Sequence, residues 1–358
     1  MTHKILIAIG LLGICLPTYA ANYPEPEKGD FIVRNFRFKS GETLPELKLH
    51  YATLGKPKRD KGGVVRNAVL VLHGTGGSSA QFLTDTFAGV LFGPGQLLDA
   101  SRYYIILPDG IGHGQSSKPS DGLRAHFPQY EYEDMIAAAH QLLTDHLGVN
   151  HLRLVMGTSM GGMHTWLWGE MYPEMMDALM PLASLPVQIA GRNRMMRRMI
   201  MDSIRNDPEW KEGNYQAQPR GLTSAAYTLM IMSSNALDWQ KQAPTRDEAD
   251  KFFEKWISTR VAKMDANDLL YQVNASRNYD PSPKLETIRA RLLAINSADD
   301  VINPPELGIL EKEIKRVKQG RAIVLPITDK TRGHGTHSIP EIWKQHLAEL
   351  LKSSESAS

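Results

Sequence analysis

The sequence predicts a doubly wound, mostly parallel α/β sheet carrying a helical cap insertion, and three observations lead there. Continuous apolar runs, NAVLVLHG, YYIILPDG, HLRLVMGTS, ALMPLAS and RLLAINS, have the length of strands buried on both faces of a parallel sheet. Stretches with apolar residues at helical spacing lie between them, and such alternation builds parallel crossover units. From 186 to 283 the alternation gives way to polar, methionine-rich helical sequence without buried-strand runs.

At the N-terminus, Lys4 and the apolar stretch ILIAIGLLGICL read as a secretory signal over residues 1–20, cleaved near Ala20 or Ala21. The stretch is too short for a permanent membrane-spanning helix. Ile14 stands before Cys15, where a lipoprotein processing site needs a small residue. The mature protein is therefore expected to be periplasmic or secreted, with no stable membrane anchor. Cys15 is the single cysteine and leaves with the signal, which excludes disulfides, zinc–thiolate sites and cysteine nucleophiles from the mature chain. With 41 basic and 39 acidic side chains, the net charge is +2. That balance gives no electrostatic reason to expect nucleic acid as a partner.

Residues 21–185 read as the first part of the core. FIVRNFRF and ELKLHYATLG alternate apolar and polar residues on either side of a turn, as an antiparallel pair does. YEDMIAAAHQLLTDHLG is an amphipathic helix closing on Gly148. Residues 186–283 form the cap insertion, in which Arg192, Arg194, Arg197 and Arg198 read as a solvated basic face. Met195, Met196, Met230 and Met232 read as core positions that can also wall a pocket. The core resumes over 284–352, and 353–358 is a frayed tail.

The chemistry sits at the ends of the strands. Gly157-Thr158-Ser159-Met160-Gly161 fits G-x-S-x-G at a strand-to-helix turn, where small flanking residues relieve crowding and the serine hydroxyl is pushed out at the top of the sheet. A serine needs a base, and the base an orienting acid, in the chain order Ser, Asp or Glu, His. Asp300, shortly before Pro304, is the favoured acid, with Asp299 its competitor. In TRGHGTHSIPEIW, His334 between two glycines is the favoured base, and His337, nearer the helix start, reads as packing or capping. No HExxH or carboxylate motif supports the two histidines as metal ligands. The turn His73-Gly74-Thr75-Gly76-Gly77 follows another buried strand, and the backbone N–H groups of Thr75 and Met160 are the expected oxyanion donors. DGIGHGQSS, with His113, reads as a structural turn. Phosphate-binding and dinucleotide fingerprints are absent, so no cofactor is expected.

The segment GTSMGGMHTWLWGEMYPEMMDALMPLAS, together with LHYATLGKP, LHGTGGSS and MDANDLLYQVNASRNYDP, resembles the homoserine O-acetyltransferase-like branch of the α/β-hydrolase superfamily over most of the mature chain. The resemblance implies an α/β-hydrolase fold and a Ser-Asp-His triad at Ser159, Asp300 and His334. The sequence departs from that branch in three places. A G-S-T-G-P-like segment is missing after the strand ending in DGIGHGQSS. The cap arginine that holds an amino-acid carboxylate has no unambiguous match among Arg194, Arg197 and Arg198. His164 stands where glutamine is usual. These departures argue against homoserine acetylation, and export would separate the chain from acetyl-CoA. The reading that follows is an exported serine hydrolase acting on a small-molecule ester or related acyl substrate. An acyltransferase and a catalytically idle binding protein are the alternatives.

Overall fold

Residues 22–355 are described by a computed structural model, in which backbone hydrogen bonding is organised by one eight-stranded sheet. The expected signal, residues 1–20, lies outside them. The strands are β1 (Glu27–Arg37), β2 (Thr43–Leu54), β3 (Ala68–Leu72), β4 (Tyr104–Pro108), β5 (Leu154–Thr158), β6 (Ala178–Leu182), β7 (Arg291–Ser297) and β8 (Gly320–Leu325). Their spatial order is β1-β2-β4-β3-β5-β6-β7-β8. β1 and β2 pair antiparallel, β2 pairs antiparallel with β4, and every later pair is parallel. The continuous apolar runs became the central strands because both faces there are covered: every residue of β3, β4, β5 and β6 is buried. β8 escapes the sequence pattern because it is an edge strand in which only Leu325 is buried.

The helices are α1 (Ala88–Leu91), α2 (Tyr132–Gln141), α3 (Met160–Met171), α4 (Gly191–Arg205), α5 (Arg220–Met232), α6 (Ala236–Gln242), α7 (Arg246–Val261), α8 (Ala266–Asn274), α9 (Ile309–Glu313) and α10 (Pro340–Ser353). On one face of the sheet, Met135 and Ile136 of α2 pack with Trp166 and Trp168 of α3. On the other, Leu91 of α1 packs with Trp343 and Leu347 of α10. The chain at the end of α10 stays attached: Ser354 is buried, and its hydroxyl accepts a 2.9 Å bond from Arg153.

Helices α4 to α8 lie between β6 and β7 and carry apolar clusters of their own, including Ile200 and Ile204 of α4, Leu222 of α5 and Leu269 of α8. Their polar ties run to loops beyond the C-terminal ends of strands. Gln272 donates to the Gly112 carbonyl after β4 (2.8 Å), and Asn235 donates to Asp299 after β7 (2.5 Å). Two expectations change here. Met196, Met230 and Met232 are buried, but Met195 is 67% exposed. Arg192 and Arg198 are exposed as expected of a solvated face, whereas Arg197 is only 5% exposed, because its helix turns that position inward toward α8.

α3 runs through the densest part of the core, with Met160 to Gly169 buried. Glycine permits that approach. A Cβ at Gly157 would strike the Gly161 carbonyl, one at Gly161 the Leu72 carbonyl of β3, and one at Gly162 the Leu182 carbonyl of β6. His164, one turn on, packs edge-to-face against Tyr132 (ring centroids 4.5 Å apart), and its Nε2 has no hydrogen-bond partner. Burial, reinforced by His73, pushes its pKa down to about 3.

Because the obstruction at Gly161 is backbone, Gly161→Ala should destabilise the protein by about 3 kcal/mol, read as a lower urea midpoint. The neutral His164 sets a pH dependence. Its folded-state pKa lies below the unfolded value, so between about 6.5 and about 3 the unfolded chain binds a proton that the folded chain refuses. Stability should therefore fall as pH is lowered through that window, and urea melts at pH 7 and pH 5 should differ less in His164→Asn than in the parent.

Candidate active site

The sheet reverses its winding between β3 and β5, so the loops leaving these neighbouring strands diverge and open a crevice. Ser159 follows β5 at this point and caps the start of α3. Its backbone sits at φ 55° and ψ −111°, a region costly for a residue with a Cβ, and its N–H donates to the Leu182 carbonyl at 2.9 Å. The loop after β3 comes close: a Cβ on Gly74 would lie 3.5 Å from that of Ser159.

Two further loops converge on this hydroxyl. His334 lies in the loop between β8 and α10, with Nε2 2.8 Å from Ser159 Oγ and Nδ1 2.8 Å from Asp300 Oδ2. Asp300 follows β7 and is 2% exposed. Burial acts to raise its pKa, but the His334 imidazole and hydrogen bonds from His334, the Ile302 N–H and the Asn303 side chain outweigh burial and hold the pKa low. An ionised Asp300 can only accept, so His334 carries its proton on Nδ1 and presents a bare Nε2 to the Ser159 hydroxyl.

The two competing residues have other partners. Asp299 accepts from the Ser297 hydroxyl (2.5 Å), from Asn235 of the cap (2.5 Å) and from the Gly333 N–H beside His334 (3.1 Å). It ties the cap to the histidine loop. Arg332 of that loop also pairs with Asp238 of α6 at 3.1 Å. His337 bonds Ser338 at 2.9 Å and stacks edge-on to His334. Burial and the proximity of His334 push its pKa down to about 3.

Near the hydroxyl, Met160 opens α3, where the first-turn N–H groups have no helical acceptor. The N–H groups of Thr75 and Met160 have no hydrogen-bond acceptor among the described residues. Gln81 shapes this side: its side chain accepts from the Gly74 N–H (3.2 Å) and donates to Thr158 (2.9 Å), joining the β3 loop to β5. Asp109 accepts from the N–H groups of Ser79 (2.6 Å) and Gln115 (2.8 Å), so the DGIGHGQSS turn braces the same loop. His113 in that turn bonds the Ile111 carbonyl, two residues away. A cavity of about 330 Å³ adjoins Thr75 and Gly76 and is bounded by Leu229, Met264 and Gln272 of the cap. A second, mostly apolar cavity of about 510 Å³ lies between Met163, Leu185, Tyr279 and Asn303. Among the described residues, no group of three or more histidine, cysteine or acidic side chains is placed to hold a metal ion.

Asn303 and Gln81 are absent from the sequence reading. The Asn303 side chain donates to Asp300 at 3.1 Å and to the Ala183 carbonyl at 2.9 Å, and its position three residues after an aspartate in a proline-bounded turn is a usable signal. Gln81 carries no such signal, since it meets Thr158 across 77 residues of chain.

Residues 67–321 match the sequence profile of the alpha/beta hydrolase fold. A probable acyltransferase of Methanothermobacter thermautotrophicus is 31% identical over 281 residues, covering 78% of this chain and 85% of the relative. Two solved structures share the fold. The homoserine O-acetyltransferase from Bacillus anthracis aligns at TM-score 0.79 and 22% identity, over 93% of this chain and 99% of that one. The acetyl esterase MekB aligns at 0.78 and 23%, over 92% and 98%. With the profile spanning most of its length and the sheet in the matching topology, this chain belongs to the alpha/beta hydrolase family.

Proposed function

We propose that the chain is an exported serine hydrolase that cleaves an ester or related acyl substrate through an acyl-enzyme. One observation carries the reading: hydroxyl, imidazole and carboxylate stand in a row with 2.8 Å at each step. Ser159 Oγ attacks the acyl carbon while its proton passes to His334 Nε2, and the carbonyl electron pair moves onto oxygen. The N–H groups of Thr75 and Met160 bind that oxyanion. On collapse His334 returns the proton to the departing alcohol, leaving Ser159 acylated. Water then attacks the acyl carbon with His334 again as base, and the free acid leaves. Asp300 keeps the imidazole in the working tautomer and balances the imidazolium charge.

Transfer of the acyl group to an alcohol or amine is the second reading, favoured by the relative described as a probable acyltransferase. Both readings share the acyl-enzyme and differ in what attacks it. Export, which rests on the N-terminal leader, favours water, because acetyl-CoA is a cytoplasmic donor.

Turnover of a p-nitrophenyl ester should fall by at least about 10⁴-fold in Ser159→Ala, and by about 10⁴-fold in kcat in Asp300→Asn, with folding retained. Equal rates in parent and Ser159→Ala would sink the proposal. Product analysis with candidate alcohol acceptors present separates the readings: free acid alone indicates hydrolysis, an exchanged ester indicates transfer.

A further inference from the structure

The cavity of about 510 Å³ plays no part in the hydrogen-bonded row of the triad, yet its walls are built from the same turns. Its apolar lining comes from Met163 of α3, from Leu185, Val187 and Ile189 after β6, from Tyr279, and from Ile302 after β7. The charged residues at its edge, Arg192 and Glu306, are exposed, and Arg192 donates to the Val301 carbonyl at 2.7 Å. The chain leaves β6 through Ala183 at φ 52°, a left-handed value unusual for a residue with a Cβ, and Asn303 holds that residue by its carbonyl at 2.9 Å. Asn303 and Ile302 both line the cavity and both bind Asp300, through the Asn303 side chain at 3.1 Å and the Ile302 N–H at 2.8 Å. On the opposite wall the Met163 N–H donates to the Ser159 carbonyl at 2.9 Å. Four residues of helix rise about 6 Å, so Met163 stands one turn from the nucleophile, roughly the span of four carbon–carbon bonds.

The cavity of about 330 Å³ beside Thr75 and Gly76 differs in character: Lys118, Asp268 and Gln272 line it, and Arg260 and Lys263 are exposed at its edge. In hydrolysis through an acyl-enzyme the alcohol departs and water takes its place, whereas the acyl group stays through both steps. A polar cavity accommodates the exchanging alcohol and water. An apolar one accommodates the group that stays, and about 510 Å³ lies within the range of sites that enclose whole small molecules, far beyond what an acetyl group fills.

We propose that this apolar cavity is the acyl-chain site, and that the substrates are esters of medium-length aliphatic acids, long enough to pass Met163, rather than acetates. The proposal rests on acylation of Ser159 and adds what the acyl group is. Carbons nearest the carbonyl lie beside the nucleophile, and only those beyond about the fourth enter the cavity and leave water. Each of these gains the transfer free energy of a buried methylene, so discrimination is by length.

The test uses the full-length enzyme and p-nitrophenyl esters, which share one leaving group and differ in the acid. From acetate to butanoate kcat/KM should change little, then rise about threefold per methylene to octanoate. Val187→Trp, which fills the cavity away from the triad, should remove most of the octanoate gain and leave acetate turnover within about twofold. Ile189→Trp should do the same and serves if Val187→Trp does not fold; if neither folds, the parent profile decides. A profile that is flat, or falls beyond acetate, would overturn the proposal. An octanoate gain untouched by both folded variants, or one removed instead by Leu229→Trp in the other cavity, would overturn it too, because the chain then lies elsewhere. Equal losses at every chain length in folded Val187→Trp would also count against it. A flat profile in which Ser159→Ala still abolishes acetate turnover separates failure of this inference from failure of the hydrolase reading.

Discussion

The arrangement depends on a single strained residue held in place by the sheet. Ser159 occupies a positive-φ conformation that would relax were the turn free, but its N–H is bound to the Leu182 carbonyl of β6 and the helix after it is wedged between β3 and β6. That wedge exists because Gly157, Gly161 and Gly162 carry no side chains to meet the backbone carbonyls facing them. Strain at the nucleophile is thus sustained by parallel strand pairing on both sides, where every residue of β5 and β6 is buried.

Given a fixed hydroxyl, the histidine must be brought to it by loops, and loops need anchoring. Two adjacent carboxylates divide that work. Asp300 is turned inward, saturated by the Ile302 and Asn303 N–H groups, the Asn303 side chain and His334. Asp299 is turned toward the cap and binds Asn235 together with the backbone just before His334. One carboxylate orients the ring and its neighbour holds the loop that bears it, so the cap is mechanically joined to the base as well as roofing the crevice. Movement of α6 would be felt at His334 through Asp299 and through the Arg332–Asp238 pair.

Charge placement within the interior is uneven. His164 is buried and His337 half-buried where protonation is costly, so they behave as neutral packing groups near the site. Asp300 keeps its charge despite burial because four hydrogen bonds replace its hydration. Arg197 keeps a buried side chain with only neutral partners. The interior near Ser159 therefore combines neutral imidazoles with buried carboxylates, Asp300 and Asp109, whose oxygens are held by hydrogen bonds.

The amino-acid sequence alone determined what local pattern can determine. Continuous apolar runs imply strands covered on both faces, and the glycines around Ser159 imply a turn too tight for side chains. A proline-bounded aspartate and a glycine-flanked histidine imply loops able to meet it. Local pattern misses β8, whose edge position leaves it half exposed, and cannot tell that one arginine in a basic helix turns inward. Which of two adjacent aspartates faces the ring, which of two histidines three residues apart reaches the hydroxyl, and that Gln81 would brace Thr158 were decided by the tertiary structure. Neighbours in sequence share composition and propensity. Only the direction in which the packed sheet and cap aim each side chain separates them, and that direction is set by contacts between residues far apart along the chain.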